Sequence, residues 1–84
     1  MLFRSHDHMA GKRLATENHF RERIQRGIAD GDVPADADAA TVAAFFSAVN
    51  QGMAIQARDG VSRAKLAAIA ESAVGAWDGL VGAP

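Results

Sequence analysis

The sequence predicts an all-α protein: one long helix and an antiparallel helical hairpin, with the hairpins of two chains pairing into a dimeric four-helix bundle. Three observations predict it. Alanine dominates, while strand-favouring residues neither cluster nor alternate. Two stop signals, Gly31 with Pro34 and then Gly60, divide the chain into three helical segments. The second and third segments carry apolar residues on more than one face, and a helix greasy on two faces needs two neighbours.

Residues 1–11 are the least patterned. Gly11 weakens a helix there and the HDHM run has no period, so this stretch is expected to be poorly ordered or part of a helix. The first helix is expected from about Lys12 to Asp30, within a single unit covering 12–84. Phe20, Ile24 and Ile28 repeat at four-residue spacing and form its apolar stripe, with Leu14 near the edge. His19, Glu22, Arg23 and Arg26 fall on the opposite, solvated side. Gly31 suits the left-handed position after a helix and Pro34 prevents continuation. Gly27 lies inside the helix, where glycine costs about 1 kcal/mol relative to alanine. Close approach of a neighbour beside the Phe20 stripe is the expected benefit.

The second helix follows Asp38, whose carboxylate can accept a free backbone N–H and suits the positive end of the helix dipole. Val42, Phe45, Phe46, Val49 and Met53 form the main stripe. Ala44, Ala48, Gly52 and Ile55 form a second strip, whose small residues at four-residue spacing would let another helix come close. The third helix begins after Ser62, an N-cap, and so short a link makes a hairpin. Leu66, Ile69, Ala70, Ala73, Val74, Trp77, Leu80 and Val81 cover an arc wider than one neighbour requires. Gly79, Gly82 and Pro84 end it.

A chain of 84 residues makes at most one small domain, whose core alone is marginally stabilising. It has no cysteine, so neither a disulfide nor a thiolate metal site can reinforce it, and self-association is the remaining source of stability. Net charge is −1. Residues 1–30 hold six Lys/Arg against four Asp/Glu, and residues 31–84 hold three against six. Neither half is a basic arm for a phosphate backbone, so no DNA binding is expected of this chain. No apolar run spans a bilayer and the start does not read as a signal peptide. The expected location is cytoplasmic, with no membrane partner.

The chemistry-bearing residues read as ordinary surface. His6, Asp7 and His8 offer two imidazoles and a carboxylate, but two ligand types on a loose terminus do not close a metal site. His19 and Glu22 are three residues apart, yet no nucleophile accompanies them: Cys and Tyr are absent and the serines lack a nearby base. Neither a catalytic residue, a metal nor a cofactor is expected, and the chain is not read as an enzyme. Glu17 falls within the arc of Leu14, Phe20 and Ile24, so it either lines a cavity or pairs with Arg13 or Arg21. Trp77 is either an interface anchor or a core residue capping the bundle. Gln51, Gly52 and Gln56 sit mid-helix, facing either solvent or a partner.

Several of these pieces, taken in order, resemble the regulatory-domain end of TetR-type transcriptional regulators. They are Arg26-Gly27-Ile28 with Asp30-Gly31-Asp32-Val33, then Ala35-Asp36-Ala37-Asp38, then Gln51-Gly52-Met53 with Gln56-Ala57-Arg58-Asp59-Gly60, completed by Ser62, Leu66 and Trp77. The likeness covers roughly residues 12–80, and no single motif within it is diagnostic. It implies that 39–58 and 62–80 are the pair of helices that dimerise as a four-helix bundle, and that 12–30 is the helix before them. The N-terminal helix-turn-helix reader and most pocket-forming helices of the family have no counterpart here. On this reading the homodimer interface comprises Ala44, Ala48, Val49, Gly52, Ile55, Gln56, Ala73, Trp77 and Leu80. Glu17, Phe20 and Phe46 are the candidate lining of a pocket for a small-molecule effector in the full-length protein. The alternative reading is a free-standing helical module that sequesters full-length regulators as mixed dimers.

Overall fold

The computed structural model describes the backbone of residues 2–82 and the side chains of residues 11–82. Within that range the fold is all-α: α1 (Leu2–Ala29), α2 (Ala39–Arg58), α3 (Arg63–Gly75) and a short α4 (Trp77–Val81). The helical start of the first segment lies at Leu2, ahead of Lys12, and Gly11 is accommodated within α1. The side chains of His6, Asp7 and His8 lie outside the described residues.

The expected punctuation marks real ends. Gly31 adopts φ 83° after α1, and the turn closes with Gly31 N–H donating to Ile28 O (3.1 Å) and Asp32 N–H to Gly27 O (2.8 Å). Gly60 repeats the motif at φ 87°, with its own N–H donating to Ala57 O (3.2 Å) and Val61 N–H to Gln56 O (3.0 Å). Each pair satisfies carbonyls that a helix end leaves unpaired, and the left-handed residue is glycine because it has no Cβ to clash. Asp38 caps α2 twice: Oδ1 accepts from Thr41 N–H (3.1 Å) and Oδ2 from the Thr41 hydroxyl (2.7 Å). Those bonds stabilise the carboxylate and hold its pKa below the ordinary aspartate value. Ser62 caps α3 through Oγ, which accepts from Lys65 N–H (3.1 Å).

The third helix departs from expectation at its far end. Instead of running on past Trp77, α3 stops at Gly75, and Ala76 (φ −82°, ψ −7°) offsets α4 from it. Its N–H bonds the Ser72 and Ala73 carbonyls (3.2 Å each), and the chain resumes when Leu80 N–H donates to Ala76 O (3.0 Å). The poor helix former at Gly75 makes this the weak point.

α2 is the middle of the molecule. α1 packs along one flank and α3 along the other, and α1 and α3 do not meet. The helices therefore form a single layer, with principal extents of 44 × 31 × 15 Å. The buried core is small: Ile24, Val33, Val42, Ala43 and Val81, with Phe20, Ile28, Phe46, Trp77 and Leu80 packed around it. It lies toward the end where the 30–38 loop and α4 converge on the start of α2.

Two features of this core explain sequence choices. Gly27 does permit a close approach, and the neighbour is Val33 of the same chain: a Cβ at Gly27 would stand 2.7 Å from Val33 Cγ2. Ala43 and Ser47 face α1 one turn apart and are 0% and 1% exposed, because small side chains let the two helix backbones approach. Ser47 Oγ is buried there without a hydrogen-bond partner.

Candidate interaction surface

A single layer of helices has two faces, and α2 presents apolar residues to each. On the front, α1 and α3/α4 form the walls of a valley of about 550 Å3. Phe46 of α2 is its floor, Phe20 and Ile24 line the α1 wall, and Val74 and Trp77 line the other. His19 and Arg23 stand at the rim. Phe46 joins the aromatics together: its ring centroid is 6.3 Å from Phe20, 5.9 Å from Trp77 and 5.2 Å from Phe45, the last edge-on at 83°. Offset and edge-to-face arrangements suit the ring quadrupoles. The valley stays open, and Val74 is 68% exposed on its lip.

Ala44, Ala48 and Ile55 lie on the other side of α2, roughly 160° to 200° from Phe46 at 100° per residue. Ala48 is exposed, Ile55 is 52% exposed and Ala44 is half-buried. Beside this strip, Phe45 and Val49 of α2 and Ala68, Ile69, Ser72 and Ala73 of α3 form a shallow groove along the hairpin. A Cβ at Gly52 would meet nothing within 4 Å, so no contact inside the chain accounts for glycine at that point.

The nine residues expected at a dimer interface therefore do not share one surface. Ala44, Ala48 and Ile55 form the back strip, with half-buried Gly52 and Gln56 toward the α3 side of α2. Val49 and Ala73 meet in the hairpin groove, and Ala73 is buried. Trp77 and Leu80 pack against the core, with Trp77 also reaching the front valley. Of the three residues expected at a pocket, Phe20 and Phe46 line the valley and Glu17 does not. Arg21 donates to Asn18 Oδ1 (2.8 Å) rather than turning to Glu17. Sequence reasoning missed Val33 and Val74 as valley residues, and the rim placement of His19 and Arg23. The break at Ala76, which sets where Trp77 points, had no signal beyond Gly75.

Surface area measures how extended the chain is. A compact monomer of 8.8 kDa should expose about 4,800 Å2 by the usual mass scaling. This chain exposes 6257 Å2. The excess is about 1,500 Å2. Part of it belongs to α1, whose 28 residues span about 42 Å against about 30 Å for the 20 of α2. The radius of gyration, 14.8 Å, likewise exceeds the roughly 12 Å of a compact chain of this length.

No cluster of three or more candidate metal ligands occurs among the described residues. No described helix is long and apolar enough to cross a membrane. No family model matches the chain, and no curated protein or solved structure does either.

Proposed function

We propose that this chain is the dimerisation and regulatory portion of a TetR-type transcriptional regulator, acting through self-association and not by binding DNA itself. The observation that carries the association is the single helical layer, which leaves small residues exposed on one face and an aromatic valley on the other. The ordered likeness from Arg26 to Trp77 supplies the regulator. A net charge of −1 supports the lack of DNA binding. The valley holding Phe20 and Phe46 is the surface on which a small-molecule effector would act in the full-length protein. The role is non-enzymatic and cytoplasmic.

Sedimentation or size exclusion with light scattering tests the reading. The expected species at micromolar concentration is a dimer. A folded monomer under those conditions overturns it, and duplex binding that weakens with salt overturns the statement about DNA.

A further inference from the structure

The front valley combines an aromatic interior with a cationic rim on its α1 side. The sequence of α1 sets this up. His19 and Arg23 are four residues apart, as are Phe20 and Ile24, so one pair runs along the rim and the other along the wall beneath it. Val33 reaches the valley after the turn at Gly31, and Val74 and Trp77 form the far side. No acidic residue among those described lines it. Glu22 and Arg26 of α1, Asp32 of the loop, Glu71 of α3 and Asp78 of α4 are all outside the lining. At three- and four-residue spacing Arg23 has His19, Phe20, Arg26 and Gly27, so no carboxylate of its own helix is placed to neutralise it. Among the described residues neither Arg23 nor His19 makes a side-chain hydrogen bond.

We propose that the valley binds a small aromatic monocarboxylate, with its ring over Phe46 between Phe20 and Trp77 and its carboxylate at Arg23 beside His19. The proposal rests on the effector reading of the valley and adds the chemical class. Three observations select that class. Aromatic rings occupy the floor and both walls, with Phe20 and Trp77 standing 6.3 and 5.9 Å from Phe46, so a flat ring would meet aromatic surface on three sides. Arg23 is the one permanent charge in the lining, which matches a monoanion, and its planar fork can donate two parallel N–H bonds to a carboxylate. His19 adds a ring N–H donor in either tautomer. The volume of about 550 Å3 falls within the range of small-molecule sites. A cationic ligand would meet Arg23 with no carboxylate to offset it, and a wholly apolar ligand would leave both rim groups unused.

Isothermal titration calorimetry of the intact chain with three probes tests the class: naphthoate, its neutral amide naphthamide, and octanoate as an aliphatic carboxylate. Naphthoate should bind roughly five- to tenfold more tightly than naphthamide, as expected of a charge-assisted pair at a solvent-exposed rim. It should also bind more tightly than octanoate, which has no ring to place among the aromatics. Arg23 is exposed, so Arg23→Gln should fold as judged by circular dichroism. In that variant the preference for the acid over the amide should disappear while naphthamide binds as before. Val74, 68% exposed on the lip, locates the site. Val74→Asp should weaken naphthoate by roughly threefold or more through like-charge repulsion and leave naphthamide nearly unchanged.

Equal affinity for acid and amide, or an acid preference that survives Arg23→Gln, overturns the proposal and leaves the valley as a surface for another class of ligand. Octanoate binding as tightly as naphthoate overturns the aromatic part of it. A Val74→Asp variant indistinguishable from the parent moves the site out of the valley. Absence of binding by all three probes up to their solubility overturns the effector reading together with the proposal.

Discussion

Replacing Gly27 with alanine separates two opposing effects whose sizes can be compared. In a helix interior, alanine is favoured over glycine by about 1 kcal/mol. Against this, the new Cβ would stand 2.7 Å from Val33 Cγ2, while ordinary contact begins at 3.4 Å, so about 0.7 Å must be found. Val33 has little freedom to supply it. Its side chain is β-branched and stiff about χ1, and it is buried at 9% exposure against Ile24, Val42 and Val81. Its backbone is held as well: Asp32 N–H (2.8 Å) and Val33 N–H (3.1 Å) both donate to Gly27 O. Overpacking of a constrained site costs about 1–3 kcal/mol, and these restraints place Gly27→Ala in the upper part of that range. The net expectation is a loss of about 1–2 kcal/mol, a fall in Tm of roughly 5–15 °C for a domain of this size. Thermal melts by circular dichroism, run at one fixed protein concentration because association shifts Tm, provide the measurement. Adding Val33→Ala should recover part of the loss, with a favourable coupling of about 1–2 kcal/mol between the two sites. A Tm equal to or above that of the parent would show that helix propensity governs position 27 and that the Val33 contact is soft.

Ser47→Ala removes a buried hydroxyl that has no partner and introduces a better helix former, so urea denaturation should show a gain of about 1 kcal/mol; a loss would mean that the hydroxyl is satisfied in solution. Ser62→Ala deletes the cap on α3 and should cost about 1 kcal/mol by the same assay, whereas an unchanged midpoint would remove the cap from the stability of the hairpin. Asp38 has its folded pKa lowered, chiefly by the Thr41 hydroxyl. Its contribution to stability is therefore complete above the unfolded value of about 4 and is lost as pH falls through the folded value. Asp38→Asn should flatten the acid limb of a stability–pH curve below about pH 4, and an unaltered limb would refute this assignment. Trp77 is the chain's one tryptophan and lines the front valley, opposite the strip of Ala44, Ala48 and Ile55. Acrylamide quenching of its fluorescence should stay nearly constant as a dimer is diluted into monomers; a marked rise in quenching would place the partner in the valley.

The parts of the fold that were legible in the sequence are those governed by local chemistry. Asp38 and Ser62 each offered a side-chain acceptor at a helix start, and both cap as expected. Gly31 and Gly60 offered the residue that tolerates positive φ, and both occupy it. The four-residue spacing of Phe20, Ile24 and Ile28 put all three toward α2 and the core. What the spacing could not supply was which of several apolar arcs would meet which neighbour. Trp77 and Ile55 read as members of one interface, yet they sit on opposite faces of the layer, because Ala76 offsets α4 and because α1 and α3 flank α2 without touching. Glu17 shared an arc with Phe20, but the valley opens toward the C-terminal half of α1 and leaves Glu17 outside it. Gly27 signalled a close approach without naming its partner, since the return of the loop onto α1 depends on the turn at Gly31 and not on helical period.

The uncharged run of α2 follows from its place in the layer. A helix at the centre of a bundle is surrounded, whereas one in the middle of a single layer is flanked on two sides and bare on two. α2 carries uncharged residues toward all four: Ala43 and Ser47 to α1, Val49 toward α3, Phe46 to the front and Ala48 with Ile55 to the back. Small residues cover the α1 side, where helix axes can come close, and Ala44 and Ala48 lie beside Ile55 on the back. Phenylalanine occupies the front, where α1 and α3 hold the walls apart and a large ring is needed as the floor. A second copy on the back would thus leave the Phe20–Phe46–Trp77 valley accessible in each protomer. Association and occupation of the valley would then be separable, since they would use opposite sides of α2.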